Sequence, residues 1–341
     1  MTPTKRSRVI IFSSVVITFV ALACNDTGGW FRSTFIDSKV HDAKPVPAFS
    51  RAGRQPGIPS LGFIAVGDAG TGGHGQRLVA ESMAQKASTD STSFVLLLGD
   101  NIYESGVSSV KDPQWPEKFE TVYDFPSLQI PFIAVLGNHD YYLNPQAQVE
   151  YTEVSDRWYM PSRYYTTSFR IDDSAEVQLF CLDTKPLAYG KKQADRQLES
   201  ESQIQWLEVE LSASKARWRI VAGHHTIYSN GEHGDNPHLA SILEPLFVRH
   251  NVDMYLAGHD HDLQILQPVK GVHYIVSGGG GKHRNTRWRE NTIFAATNLG
   301  FTWISISFDD ALVQFFDAAG TLQYAHVIGK REAGTPEAET H

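Results

Sequence analysis

Cysteine is scarce in this chain: among 341 residues there are two, Cys24 and Cys181. Cys181 sits in the apolar run 177–182, where a free thiol behaves as a small hydrophobe, so no disulfide framework is expected. Concentrated positive charge is missing as well. No block of Lys or Arg follows the first few residues, and the formal net charge is −8. Nucleic acid demands cationic contacts along its phosphates, which removes it from the expected partners. Residues 9–23 are uncharged, but these 15 residues fall short of the roughly 20 that cross a bilayer core as a helix. No internal repeat is present. What the chain does have is 41% apolar residues, enough for a substantial core in one large domain or two small ones.

Lys5, Arg6 and Arg8 stand before residues 9–23, the basic and apolar layout of a secretory signal. Residues 1–23 are therefore expected to be an export signal. Cleavage after Ala23 would make Cys24 the first mature residue. The sequence Ala21-Leu22-Ala23-Cys24 resembles the lipobox of bacterial lipoproteins, whose cysteine receives lipid. The expected destination is the bacterial cell envelope through a lipid on Cys24, or free secretion, because Ala-x-Ala also suits ordinary signal peptidase. Membrane contact is expected through that lipid alone. Asn25-Asp26-Thr27 is a glycosylation sequon, which has meaning in a eukaryotic secreted chain.

Residues 24–58 are polar, with Pro45, Pro47 and Pro56, and are expected to be a flexible tether. Residues 331–341 are expected to be a disordered tail. The folded domain is expected over 59–330, as a monomer. Within it, apolar runs at 61–66, 94–98, 132–136, 177–182, 218–222, 254–257 and 272–276 suit strands buried on both faces. Helical periodicity appears between them, across 203–211 and 239–248. Later, 301–308 and 312–316 flank Asp309-Asp310, a hairpin signal. The sum is an α/β fold with a mixed sheet and an antiparallel end.

Five of the runs end in glycine and a polar residue: Gly67-Asp68, Gly99-Asp100, Gly137-Asn138, Gly223-His224 and Gly258-His259. Open α/β sheets bind ligands beyond the carboxyl ends of their strands. Any one such pair is most simply a turn or helix cap, but five together deliver metal-type ligands to one edge. Asp68 and Asp100 in a partly buried site would repel each other, and cations remove the conflict. Asn138 adds a neutral carbonyl oxygen and His224 an imidazole. His259 and His261 share a face if the segment is extended, so they suit two adjacent metals.

The ordered blocks Gly67-Asp68-Ala69-Gly70, Gly99-Asp100-Asn101-Ile102-Tyr103, Gly137-Asn138-His139-Asp140, Gly223-His224-His225 and Gly258-His259-Asp260-His261 resemble those of calcineurin-like metallophosphoesterases. Most members carry a metal-binding histidine two residues after the first aspartate, where this chain has Gly70. Purple acid phosphatases lack it too, and use a tyrosine three residues after the second aspartate, where Tyr103 stands. Arg157-Trp158-Tyr159-Met160-Pro161, Gln205-Trp206-Leu207 and Glu232-His233-Gly234 are similar to the small tartrate-resistant acid phosphatases. The resemblance implies a four-layer αββα sandwich of two mixed sheets. It also implies an acid phosphatase that hydrolyses phosphate monoesters with a binuclear Fe(III)–M(II) centre and a hydroxide held there. Asp68, Tyr103 and His261 would bind the ferric ion, and Asn138, His224 and His259 a divalent Fe, Zn or Mn. Asp100 would bridge them, while His139 and His233 face the substrate. Phenolate is a hard donor suited to a trivalent ion, and imidazole suits the divalent one.

The alternatives are a phosphodiesterase or nucleotidase with two divalent metals, which Tyr103 and Gly70 oppose, and a scaffold that kept the fold and lost the chemistry. Ala69 and Thr226 replace the tryptophan and proline of animal enzymes, which would reshape the pocket rim. His41, His74, His238, His250, His273, His283, His326 and His341 are expected at surface or satisfied core positions. His225 remains open between pocket lining and packing. The Gly- and Arg-rich loop 278–289, with Trp288, is a candidate border of the site.

Overall fold

Strands without apolar–polar alternation need cover on both faces. In the computed structural model, which describes residues 57–189 and 194–331, they receive it. The first half comprises β1 (Leu61–Val66), α1 (His74–Thr89), β2 (Phe94–Leu97), β3 (Phe132–Ala134), α2 (Pro145–Glu150), β4 (Trp158–Tyr159), β5 (Tyr165–Arg170), β6 (Glu176–Cys181) and α3 (Ala194–Ala213). The second comprises β7 (Trp218–Ala222), α4 (Pro237–Arg249), β8 (Met254–Ala257), β9 (Leu263–Leu266), β10 (His273–Ser277), β11 (Thr292–Ala296), β12 (Gly300–Ile306), β13 (Asp310–Asp317) and β14 (Leu322–Gly329). β1, β2, β3 and β8 are buried along their whole length. The expected export signal at 1–23, Cys24, the Asn25 sequon and nearly all of the tether and tail lie outside the described residues.

The strands form two mixed sheets of seven, ordered β14-β13-β12-β1-β2-β3-β4 and β11-β9-β10-β8-β7-β6-β5. In the first, β1 to β4 run parallel and β12 to β14 antiparallel. In the second, β6, β7, β8 and β10 run parallel, with β5, β9 and β11 antiparallel outside them. The sheets stack back to back. Ser277 Oγ donates to Ala65 O at 2.8 Å, Trp218 Nε1 donates to Ser307 O at 2.9 Å, and Phe294 stacks on Tyr324 at 5.0 Å.

Helices cover the outer faces. On the first sheet, Lys86 of α1 places Nζ 4.0 Å from the Trp303 ring. On the second, Leu207 and Leu211 of α3 join Leu239, Leu243 and Phe247 of α4 over Phe180, Val221, Tyr255 and Tyr274. The architecture is the αββα sandwich that the resemblance implied. The ligand-bearing strands, which share one edge in the sequence pattern, are divided between two sheets. Apolar periodicity does not single out α1, because the face it buries includes Gln76, Ala80, Ser82 and Ala84. Among the described residues no helix is long and apolar enough to cross a membrane.

A polar clamp fixes the end of β6 to α3. Gln203 Oε1 accepts from Asp183 N at 3.0 Å, and Gln203 Nε2 donates to Asp183 O at 2.9 Å. The Asp183 carboxylate also takes the Tyr141 hydroxyl and the Lys185 amide. Burial pushes its carboxyl up to about 6 from the ordinary 3.8, although the Tyr141 hydroxyl pulls the other way. A raised folded value means the folded state holds this proton more tightly. That contribution is complete below about pH 4 and is lost as pH rises through about 6. Asp183→Asn, which imitates the protonated acid, should match the native chain near pH 4. By pH 7 it should be more stable by about 2 kcal/mol in urea unfolding. Parallel stability profiles for the two proteins would refute this role.

Candidate metal centre

The carboxyl ends of both sheets meet at one place. β1, β2 and β3 of the first sheet lead into Asp68, Asp100 and Asn138, while β7 and β8 of the second lead into His224 and His259. The chain turns abruptly at three of them. Asp68, Asp100 and His259 have φ of 57°, 50° and 69°, a left-handed conformation that costs an L-residue about 1 kcal/mol or more. Glycine allows the close approach. A Cβ on Gly137 would stand 2.1 Å from Asp100 N, and one on Gly258 would stand 2.6 Å from Asp68 Oδ2.

The side chains gather in two groups. In one, Tyr103 OH lies 2.9 Å from Asp68 Oδ1 and 3.1 Å from His261 Nε2, and His261 Nε2 lies 3.3 Å from Asp68 Oδ1. In the other, His224 Nε2 lies 3.1 Å from Asn138 Oδ1 and 3.2 Å from His259 Nδ1. Asp100 stands between them. Its Oδ1 is 3.6 Å from His224 Nε2, and ligand atoms of Asp68, Asp100 and His224 all fall within 4.8 Å of one another.

Backbone carbonyls set the tautomers. His224 Nδ1 lies 2.9 Å from Leu98 O. A carbonyl only accepts, so Nδ1 carries the proton and Nε2 of the neutral ring turns a lone pair toward Asn138 Oδ1, itself an acceptor. Such a convergence of acceptors suits a cation. Electrostatics agree. Burial opposes the Asp68 charge, but His261, His224 and Tyr103 outweigh it and hold the carboxyl below its ordinary range. Burial opposes a charge on His224 too, yet Asp100 and Asp68 lift its imidazole above the ordinary value. The negative field that favours a proton there favours a metal ion equally. Burial, Asp68 and Asp100 push the Tyr103 phenol far above its usual range, so a phenolate here needs a strongly charged partner. Burial and the neighbouring His224 and His225 keep His259 well below the ordinary value, neutral as a ligand must be. The donors present thus fit two cations side by side.

His139 and His233 flank this cluster. His139 N donates to Asp100 Oδ1 at 2.8 Å, and its Nδ1 meets Glu104 O at 2.5 Å. The opposite edge, Nε2, is thereby left toward the centre, 4.0 Å from Asp100 Oδ2. His233 is exposed, stacks on His259 with ring centroids 4.0 Å apart, and donates its N–H to Asp260 Oδ1 at 2.9 Å.

Several supporting residues carry no role in the sequence analysis. Asp140 is buried and accepts from Gly137 N, Asn101 N, Ile102 N and Gln148 Nε2 at 2.7–3.2 Å, tying the β2 and β3 loops together. Burial and the Asp100 charge raise it to about 6. Its position closing Gly137-Asn138-His139 was the available signal. Thr184 Oγ1 accepts from His224 N at 3.2 Å and His225 N at 3.0 Å, so its own proton goes to His225 Nδ1 at 2.8 Å. His225 is buried behind the ligands, 4.6 Å from the His259 ring, which resolves it as packing. Loop 278–289 does border the site, for Arg284 N donates to His261 O at 2.8 Å. His250 meets Glu208 Oε1 at 2.9 Å. His273 departs from expectation: its Nδ1 is buried without a hydrogen-bond partner, and burial lowers the ring to about 4.

Residues 61–263 match the family described as calcineurin-like phosphoesterase. The chain is 34% identical over 299 residues to tartrate-resistant acid phosphatase type 5 of Oryctolagus cuniculus, covering 80% of this chain and 92% of that one. It is 33% identical over 298 residues to purple acid phosphatase 17 of Arabidopsis thaliana, covering 80% and 85%. Among solved structures, GAP50, described as the anchor in the inner membrane complex of Plasmodium, aligns with a TM-score of 0.74. The two share 26% identity over 81% of this chain and 90% of that one. Purple acid phosphatase PPD1 of yellow lupin aligns at 0.62 with 16% identity, over 79% and 54%, a likeness of fold.

Thr184 offers a direct test of how the ligand strand is held. Thr184→Val keeps the shape and leaves the His224 and His225 amides without an acceptor, so unfolding free energy should fall by about 1–3 kcal/mol. Thr184→Ser should recover most of it. A valine variant as stable as the native chain in chemical denaturation would refute the role.

Proposed function

Because the chain belongs to the calcineurin-like phosphoesterase family, among its purple acid phosphatases, we propose that it is an acid phosphatase that hydrolyses phosphate monoesters at a binuclear Fe(III)–M(II) centre, M being Fe, Zn or Mn. Tyr103 carries this reading, through its hydroxyl at 2.9 Å from Asp68 and 3.1 Å from His261. Asp68, Tyr103 and His261 would hold the ferric ion, Asn138, His224 and His259 the divalent one, and Asp100 both. When bound, such a pair supplies Lewis-acid charge at the phosphoryl group and lowers the pKa of a nucleophilic water.

The chain's own residues orient and protonate. His139 is aimed by its Nδ1 contact to Glu104 O, which fixes a proton on Nδ1; with a second proton on the ring, Nε2 would donate to a phosphoryl oxygen. His233, held by the Asp260 carboxylate on its backbone N–H, would deliver a proton to the leaving alkoxide. The Asp260 carboxylate is fixed in turn by the Ser229 hydroxyl. Export, with either a lipid on Cys24 or free secretion, and a monomeric state complete the proposal. A phosphodiesterase with two divalent ions is the weaker reading, because it gives Tyr103 no task.

A phenolate bound to ferric iron absorbs visible light, so the purified protein should be pink to violet and contain iron. Tyr103→Phe should bleach it while keeping the fold, since the change removes one oxygen and no ring packing. A colourless, fully active protein loaded with zinc or manganese at both positions would sink the ferric assignment. His233→Ala should retain both metals and lose roughly 10²–10⁴ in rate. Metal analysis showing an ion missing from that variant would make His233 a ligand instead.

A further inference from the structure

Loop 278–289 holds Lys282, Arg284, Arg287 and Arg289 in a chain of net charge −8, and none of the roles above uses these cations. Backbone hydrogen bonds fix the loop at the mouth of the site. Arg284 N donates to His261 O at 2.8 Å and Arg287 N to Asn230 O at 2.9 Å, while Thr286 N donates to Thr297 Oγ1 at 3.1 Å. From this support Arg284 places Nη1 2.9 Å from His233 Nε2. Its nearest carboxylate contact is looser, with Nε 3.9 Å from Glu232 Oε2, and the side chain stays 39% exposed.

A guanidinium has five N–H donors and no acceptor, so His233 Nε2 must accept here. A neutral ring nitrogen is a modest partner for guanidinium, whereas a phosphoryl oxygen is a strong one that its planar fork matches. An oxygen at a hydrogen-bonding distance of about 2.8 Å from both nitrogens closes a nearly equilateral triangle on their separation. Once the His233 ring carries a second proton, as its proton delivery to the leaving group requires, Nε2 becomes a donor and one anion can accept from both groups.

We propose that Arg284 is a further catalytic residue whose guanidinium, beside His233, binds an oxygen of the phosphoryl group under attack. The inference rests on the phosphatase reading. Arg284 makes and breaks no covalent bond. It adds fixed positive charge where the phosphoryl oxygens lie, and by moving onto the anion it frees the Nε2 edge of His233 for the substrate.

The holoenzyme carrying Arg284→Gln tests this through inorganic phosphate binding by calorimetry and turnover of p-nitrophenyl phosphate. Phosphate affinity and kcat/KM should each fall roughly 10- to 100-fold, the worth of one charge-assisted hydrogen bond, with metal content unchanged. Arg284→Lys should recover part of the loss, and added guanidinium ion should partly restore Arg284→Ala. Unchanged phosphate affinity in the glutamine variant would overturn the proposal. So would a loss confined to substrates bearing a second anionic group, which would make Arg284 a leaving-group contact. Native protein that binds phosphate but hydrolyses no monoester would defeat the phosphatase reading, and the phosphate affinity of Arg284→Gln would still decide the arginine's role.

Discussion

Buried carboxylates and facing lone pairs converge where the carboxyl ends of the two sheets meet, and the rest of the structure is arranged around that conflict. Asp68 and Asp100 are buried carboxylates, and Asn138 Oδ1 faces a His224 Nε2 whose partner nitrogen is committed to Leu98 O. In a low-dielectric interior an uncompensated set of this kind is strongly unfavourable. Three left-handed residues and the glycines that approach them add cost at the same spot. Strain and like charge concentrated in one place are the mark of a site selected for chemistry. Cations relieve the electrostatic part, which couples metal binding to folding.

The two sheets make the arrangement rigid. The strands that lead into the ligands are buried along all or nearly all of their length, so their backbone cannot shift without disturbing a core. Behind the ligands stands a layer of polar groups with their hydrogen bonds satisfied: Asp140 for the β2 and β3 loops, Thr184 for the end of β7, Asp260 for the loop that carries His233. These groups fix the backbone that carries the ligands and His233. Such support is why ligand positions within a few tenths of an ångström can be maintained by loops at strand ends.

Much of this was legible in the sequence because buried parallel strands write themselves as uninterrupted apolar runs, and because a ligand at a strand end needs glycine before it. The runs at 61–66, 218–222 and 254–257 coincide with β1, β7 and β8. What was illegible follows from weaker physics. β5 lies at the border of its sheet and buries only Tyr165 of its six residues, so its apolar content is low. α1 turns small and polar residues toward the sheet, leaving no apolar stripe. The division of ligands between two sheets depends on contacts between residues far apart in sequence, such as Ser277 with Ala65, which no local pattern encodes. Thr184 was hidden for a related reason, as it acts through the amides it meets in space.

The division also explains why the two halves of the site are chemically unequal. The first sheet delivers oxygen: Asp68, Asp100, Asn138 and, just past β2, Tyr103. The second delivers nitrogen: His224, His259 and His261. Where they meet, one group holds two oxygen donors and one imidazole, and the other holds one oxygen and two imidazoles. Hard oxygen donors favour the more highly charged ion, and imidazoles the softer divalent one. Both groups of donors thus draw on both sheets, with the oxygens coming from the first and the imidazoles from the second. His259 and His261 were expected to share a face of an extended segment, but the chain leaves β8 through a left-handed turn at His259 (φ 69°), and the two imidazoles enter different groups.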